Sequence, residues 1–171
     1  MQVQMLSAEI RTATEAEREL ERLVEHYGNG LLKYTHSVLL DYHEAQDVVQ
    51  STFVMAFAAL NRNAQIHSSW LYKSAYNKCI DILRRKRLQR LFLSRQQEES
   101  YTPDYFISEN VEQILHRLNP KDRALVYSRA VEGLSYEQLS EIYGKGTAAL
   151  RKQYERAKKK LLENSEGGDL P

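Results

Sequence analysis

No stretch of this 171-residue chain alternates apolar and polar residues in the bounded, β-branched manner of a strand, whereas apolar residues recur at helical spacing throughout. That confines the chain to an all-α fold. Only 3 prolines and 7 glycines interrupt it. From about residue 14, Leu20, Leu23, Val24 and Tyr27 mark an amphipathic helix, which Gly28-Asn29-Gly30 is expected to end, and a second helix is expected over about 31–40. Asp41, three residues before Glu44, reads as an N-cap with a capping partner, and Val48, Val49, Phe53, Ala56 and Leu60 follow at helical spacing. A fourth helix is expected from Ser68 or Ser69 to about residue 87.

Residues 88–108 lose this periodicity and contain the polar run Gln96-Gln97-Glu98-Glu99-Ser100 and Pro103, the signature of a linker, partly helical at its start. The organisation expected is therefore two small helical domains, 1–90 and 109–171, joined through 91–108. Beyond the linker, Val111, Ile114, Leu115 and Leu118 form a short helix. Asn119-Pro120 then supplies an N-cap followed by proline at the first helical position, with Asp122 in the first turn.

The best-written boundaries lie at the C-terminal end. Gly133 closes the helix begun at Pro120; Ser135 and Gln138 have capping-box spacing, and Leu134 and Leu139 that of a hydrophobic staple. Gly144-Lys145-Gly146-Thr147 makes a tight turn, after which Leu150, Tyr154, Ala157 and Leu161 put an apolar stripe on one side of the last helix. Lys152, Arg156 and Lys159 project from the other side, flanked by Arg151, Glu155 and Lys158. This is a helix-turn-helix whose cationic second helix suits a major groove between two phosphate rails. The run Lys158-Lys159-Lys160 alone reads equally well as a solvated helix end that complements the dipole.

Net charge, +1 overall, conceals blocks of alternating sign. Lys and Arg number 4 against 9 acidic residues over 1–60, 9 against 1 over 61–95, 4 against 9 over 96–141 and 7 against 2 over 142–163. Two basic surfaces separated by acidic ones suit a protein that grips nucleic acid at two places while its acidic faces meet another protein. On the helix after Trp70, Leu71, Tyr72, Ala75, Tyr76, Cys79, Ile80, Ile82 and Leu83 occupy one arc. Lys73, Ser74, Asn77, Lys78, Asp81, Arg84 and Arg85 occupy the other, with Trp70 among them at the N-terminal end. An indole beside cations can stack on an unpaired base; a partly buried tryptophan at a helix start is the plainer reading. Asp81 reads as an intrahelical ion-pair partner of Arg84 and Arg85.

The run Asp41-Tyr42-His43-Glu44-Ala45-Gln46-Asp47-Val48-Val49-Gln50-Ser51-Thr52-Phe53 closely resembles region 2.2 of bacterial RNA polymerase sigma factors of the extracytoplasmic-function group, within the sigma-70 family. Residues 70–77 are similar to that group's promoter-melting segment, and Asp81-Ile82-Leu83-Arg84-Arg85 to the segment that reads the −10 element. Residues 133–139 with Arg156-Ala157-Lys158 resemble region 4, which binds the −35 element. The resemblance covers most of residues 20–162 in the right order.

It implies a non-catalytic, cytoplasmic subunit that binds core RNA polymerase, through the clamp helices of β′ and the β subunit, and directs it to promoter DNA. Asp41, Glu44, Asp47 and Gln50 would dock on the clamp helices, the plainer reading being a solvated helix face. Trp70, Lys73, Asn77, Arg84 and Arg85 would hold the opened −10 strand. Arg151, Lys152, Glu155, Arg156 and Lys159 would meet the −35 duplex, those nearer the N-terminus of the helix reading bases and Lys159 meeting phosphate. Group members are commonly held inactive by an anti-sigma protein, often membrane-bound. The sequence departs from the family pattern at Gln46 and Ser51, where carboxylates are usual, in a short 61–69 loop lacking the usual phenylalanines, and at 148–153, which reads Ala-Ala-Leu-Arg-Lys-Gln.

A stand-alone helix-turn-helix regulator would explain the last two helices but not Trp70 or the acidic helix before it. Enzymatic chemistry finds no foothold: in His43-Glu44-Ala45-Gln46-Asp47 an aspartate stands where a zinc protease helix needs its second histidine. His26, His36, His67 and His116 show no ligand spacing with Cys79, so no metal, cofactor or small-molecule substrate is expected. The lone cysteine and a charged N-terminus without a signal peptide or membrane span fit a reducing cytoplasm.

Overall fold

A computed structural model describes residues 2–93 and 109–163, with side chains described for 14–92 and 113–163. The elements are α1 (Gln2–Leu39), α2 (Tyr42–Leu60), α3 (Ser68–Leu93), α4 (Glu109–His116), α5 (Pro120–Ala130), α6 (Tyr136–Tyr143) and α7 (Thr147–Glu163). All regular structure among the described residues is helical, as the periodicity requires.

Gly28-Asn29-Gly30 does not end a helix; α1 runs through it as one element. A glycine inside a helix costs about 1 kcal/mol relative to alanine. Against that, Leu23, Leu31, Tyr34 and Val38 on the same helix are all but fully buried, and each such side chain contributes roughly 1.5–3 kcal/mol. Packing on both sides of the glycines therefore outweighs their local preference. The chain reverses instead at Leu40, which takes a left-handed φ of 55° while its amide donates to the His36 carbonyl at 2.7 Å. Asp41 then caps α2, its side chain accepting from the Glu44 amide at 2.9 Å.

The third helix also outruns its expected end at residue 87, continuing to Leu93 and carrying Arg90 in its last turn. The start of the expected linker is thus helical, and its remainder, 94–108, lies outside the described residues.

The C-terminal unit follows its sequence signals closely, except that α5 ends at Ala130 with Val131 as its C-cap, ahead of the expected Gly133. Asn119 caps α5 by accepting from the Asp122 amide, with Pro120 in the first turn. Ser135 and Gln138 form the reciprocal capping box of α6, and Gly144, at φ 63°, closes that helix in the left-handed region. Leu125, Leu139 and Leu150, one from each of α5, α6 and α7, meet in a small core, with Leu134 packed against them.

The two units lie against each other, α5 on α1 and α6 on α3. Ala124, Tyr127 and Ile142 from the C-terminal unit join the main core of Leu23, Leu31, Tyr34, Leu71, Tyr72 and Cys79. The seam is rich in phenols: Tyr34 meets Tyr72 edge-on at 5.1 Å, Tyr76 meets Tyr143 edge-on at 4.7 Å, and Tyr127 lies 6.4 Å from Tyr34. The Tyr143 hydroxyl hydrogen-bonds Tyr34 at 3.1 Å and Ser128 at 2.7 Å. Tyr72 donates to a Glu132 carboxylate oxygen at 2.9 Å.

Arg123 crosses the seam as well. Its guanidinium donates to the Val38 carbonyl at 2.7 Å and the Leu118 carbonyl at 2.9 Å. It thereby satisfies an orphan carbonyl in the last turn of α1, where the dipole favours a cation. Burial pulls its pKa down to about 10, so the charge persists at neutral pH, held by backbone oxygens.

Candidate nucleic-acid interface

The outward face of α7 carries the cationic row. Leu150 and Ala157 are buried, while Arg151, Lys152, Glu155, Arg156 and Lys159 are exposed. All five expected residues therefore share one solvent-facing strip, and Ala149, Arg151, Lys152, Glu155 and Arg156 border a shallow depression of about 570 Å³. Two of them are already steadied within the unit. The Arg151 guanidinium sits 4.9 Å from the Tyr136 ring centre, sharing that ring with Arg129 at 5.1 Å, and Lys159 pairs with Glu163 at 3.5 Å across one helical turn.

On α3, Lys73, Asn77, Arg84 and Arg85 are exposed. Trp70, Asn77 and Arg84 repeat every seven residues and so fall within about 40° of one another on the helix, with Lys73 alongside. Trp70 divides its ring between two environments: it is half-buried, packing against the main core at the first turn of α3. Arg84 pairs with the Asp81 carboxylate at 2.6 Å, as the spacing implies, whereas Arg85 donates to the Asp81 backbone carbonyl at 3.4 Å.

The four residues expected on the α2 docking face separate into two pairs. Asp41 is occupied as the N-cap, and Glu44, half-buried, accepts from Lys86 of α3 at 2.8 Å. Asp47 and Gln50 face solvent. Gln50 borders a groove between α1 and α2 of about 650 Å³ whose other walls include Leu20, Val24, Val49, Phe53 and Phe57. Val54, exposed, is one of its walls as well. The charge pattern of the sequence does not disclose this apolar groove, whose walls come from two helices.

Asp122 has a second role that its first-turn position did not disclose. It is buried and accepts from Gln153 of α7 at 2.9 Å and from Asn119 at 2.7 Å. Among the described residues, no group of three or more His, Cys, Asp and Glu side chains could hold a metal ion. Nor is any described helix long and apolar enough to cross a membrane.

The described residues thus form two helical units with an exposed cationic strip on α7 and an apolar groove on a separate face. Comparison with known proteins adds the family. The Sigma-70 region 2 family matches residues 23–89, and the Sigma-70 region 4 family residues 108–161. The chain is 24% identical over 154 residues to the ECF RNA polymerase sigma factor SigE of Mycolicibacterium smegmatis, covering 84% of this chain and 60% of that one. It is 25% identical over 154 residues to the RNA polymerase sigma factor NccH of Alcaligenes xylosoxydans xylosoxydans, covering 82% and 83%. It is 28% identical over 158 residues to the RNA polymerase sigma factor YlaC of Bacillus subtilis, covering 85% and 91%.

Two solved structures share the fold. CnrH, in complex with the cytosolic domain of CnrY, superposes with a TM-score of 0.69 at 24% identity over 94% of this chain and 96% of that one. The sigma factor RpoE of Bartonella quintana, in complex with the anti-sigma factor NepR, superposes with a TM-score of 0.73 at 18% identity over 89% and 99%. The chain belongs to the sigma-70 family of RNA polymerase sigma factors, in its extracytoplasmic-function group.

Proposed function

We propose that this chain is a non-catalytic, cytoplasmic subunit that joins core RNA polymerase and directs it to a promoter, with a separate surface for each task. The α2 face of Asp47 and Gln50, with the apolar groove beside it, docks on polymerase. The α3 row of Trp70, Lys73, Asn77, Arg84 and Arg85 holds the opened −10 strand, with the indole stacking on an unpaired base. The α7 strip enters the −35 major groove. Arg151, Lys152 and Glu155 lie near the start of that helix, where base contacts are made, with Arg156 at the boundary and Lys159 further along toward phosphate. An anti-sigma protein of the kind bound by the Bartonella relative is a further partner under this reading.

The observation that carries it is the exposure of all five α7 residues while their helix is pinned by Leu150 and Ala157. The test is transcription by purified core polymerase plus this protein on genomic DNA, with the 5′ ends sequenced. Start sites sharing two upstream motifs are expected. Site-specific DNA binding without any effect on initiation would favour a stand-alone regulator instead.

A further inference from the structure

On a helical wheel Gln153 belongs neither to the outward row of α7 nor to its buried stripe. With Lys160, seven residues on, it occupies the flank turned toward the start of α5. There its amide is held from both sides: Lys145, in the turn before α7, donates to its carbonyl oxygen at 2.8 Å, and its NH2 donates to Asp122 at 2.9 Å. Lys160 reaches the other oxygen of the same carboxylate at 3.4 Å, which Asn119 also contacts at 2.7 Å. One buried carboxylate thus ties the α5 cap to two points on α7 that are two turns apart. Through Gln153 the tie extends to the turn of the helix-turn-helix.

The small core does not supply the same constraint. Leu150 and Ala157 of α7 are buried and Tyr154 packs beside them, which turns the apolar stripe inward; apolar contact is non-directional, so the last tens of degrees of rotation are left to directional bonds. Rotation matters because the outward side chains must meet base edges. At a side-chain radius of about 6 Å, a 20° turn of the helix moves a contact by about 2 Å, beyond the range of a hydrogen bond.

We propose that Gln153, clasped between Lys145 and Asp122, is a positioning residue that sets the rotation of α7 and so governs sequence preference at the upstream element without touching a base. The inference rests on the reading that α7 enters the major groove. It is tested with holoenzyme assembled from core polymerase and full-length protein, by selecting from promoters randomised in the upstream element. Gln153→Met keeps the side-chain volume and removes both hydrogen bonds. It is expected to broaden the selected motif, lowering discrimination against single-base changes by about tenfold. Affinity for unrelated duplex should stay within about twofold, since phosphate charge supplies that binding, and the melting temperature should barely move. Asp122→Asn should broaden the motif in the same direction, and the double variant should be no worse than Gln153→Met alone. Should Asp122→Asn fail to fold, Gln153→Met, on a half-exposed flank, decides the matter. An unchanged motif in Gln153→Met, or equal weakening on every sequence, overturns the proposal. A wild-type holoenzyme that selects no upstream motif overturns the groove reading itself.

Discussion

A methyl group at Gly30 would lie 3.3 Å from the Tyr72 hydroxyl and 3.6 Å from the Glu132 carboxylate that this hydroxyl meets. Alanine would raise the helix propensity of α1 by about 1 kcal/mol, but it pushes apart a hydrogen bond to a charged acceptor, a contact of about 1.5–3 kcal/mol. Gly30→Ala should therefore leave α1 helical while amide-exchange protection in α5 and α6 falls; a gain in protection there would show that the hydroxyl moves aside without cost. At Trp70 the shared environment of the ring sets the control that is needed. Trp70→Ala should lose about 1–3 kcal/mol of stacking on the opened strand, read as weaker permanganate reactivity of unpaired thymines near the start site. Because the indole also packs on the core, the variant must be compared at equal folded fraction by circular dichroism. Normal reactivity at that point would count against stacking.

Among the helices, α2 offers the clearest separation of structural from docking charge. Glu44 is committed to Lys86, a half-exposed pair worth about 0–1 kcal/mol, whereas Asp47 and Gln50 hold no such tie in α3. Asp47→Lys combined with Gln50→Lys should abolish co-purification with core polymerase at unchanged helicity, while Glu44→Gln should leave it largely intact; the reverse result would move docking to the Glu44 side. Helix starts were legible from sequence because caps are local: Asp41, Asn119 and Ser135 each bond an amide three residues on. Helix ends were less so. The continuity of α1 through Gly28 and Gly30 depends on burial against elements distant in the chain, which no local window contains; α3 past residue 87 is different, since Leu88, Leu91 and Phe92 are exposed there. The α7 strip was legible from its period alone, but the apolar groove needed α1 and α2 side by side. The link from Asp122 to Gln153 joins residues 31 apart, and nothing in either neighbourhood announces the other.

Across the whole molecule, the seam between the units is held chiefly by tyrosines that resist ionisation. Burial raises Tyr34, Tyr72, Tyr76 and Tyr143 above the ordinary phenol range and Tyr127 to about 12, and the buried Cys79 thiol between them is raised as well. An opened chain gives up the phenol protons near pH ~10 while the closed one keeps them. Their contribution is therefore complete below about pH 10 and is lost as pH rises through the folded values. Arg123, lowered to about 10, acts in the opposite sense, but one guanidinium faces five phenols. Small-angle scattering should show the units separating above about pH 10, together with tyrosinate absorbance; a closed form at still higher pH would assign the seam to its apolar contacts. The compact form also has a limited reach. A chain of this length folded as one body has a radius of gyration of about 15 Å, and elements about 25 base pairs apart lie about 85 Å apart. Fluorescence transfer between dyes on α3 and α7 should accordingly drop when holoenzyme binds a promoter.

The seam is long in sequence as well as polar in composition: Arg123 finds its acceptor 85 residues back, and Tyr143 finds Tyr34 109 residues back. During synthesis the N-terminal helices emerge well before the residues that cover them. At about 5–20 residues per second, the ribosome takes on the order of 5–20 s to make the missing stretch. For that interval the newborn chain shows Tyr34, Tyr72 and the uncapped end of α1 to the cell, a surface that exists in time before it is closed in space.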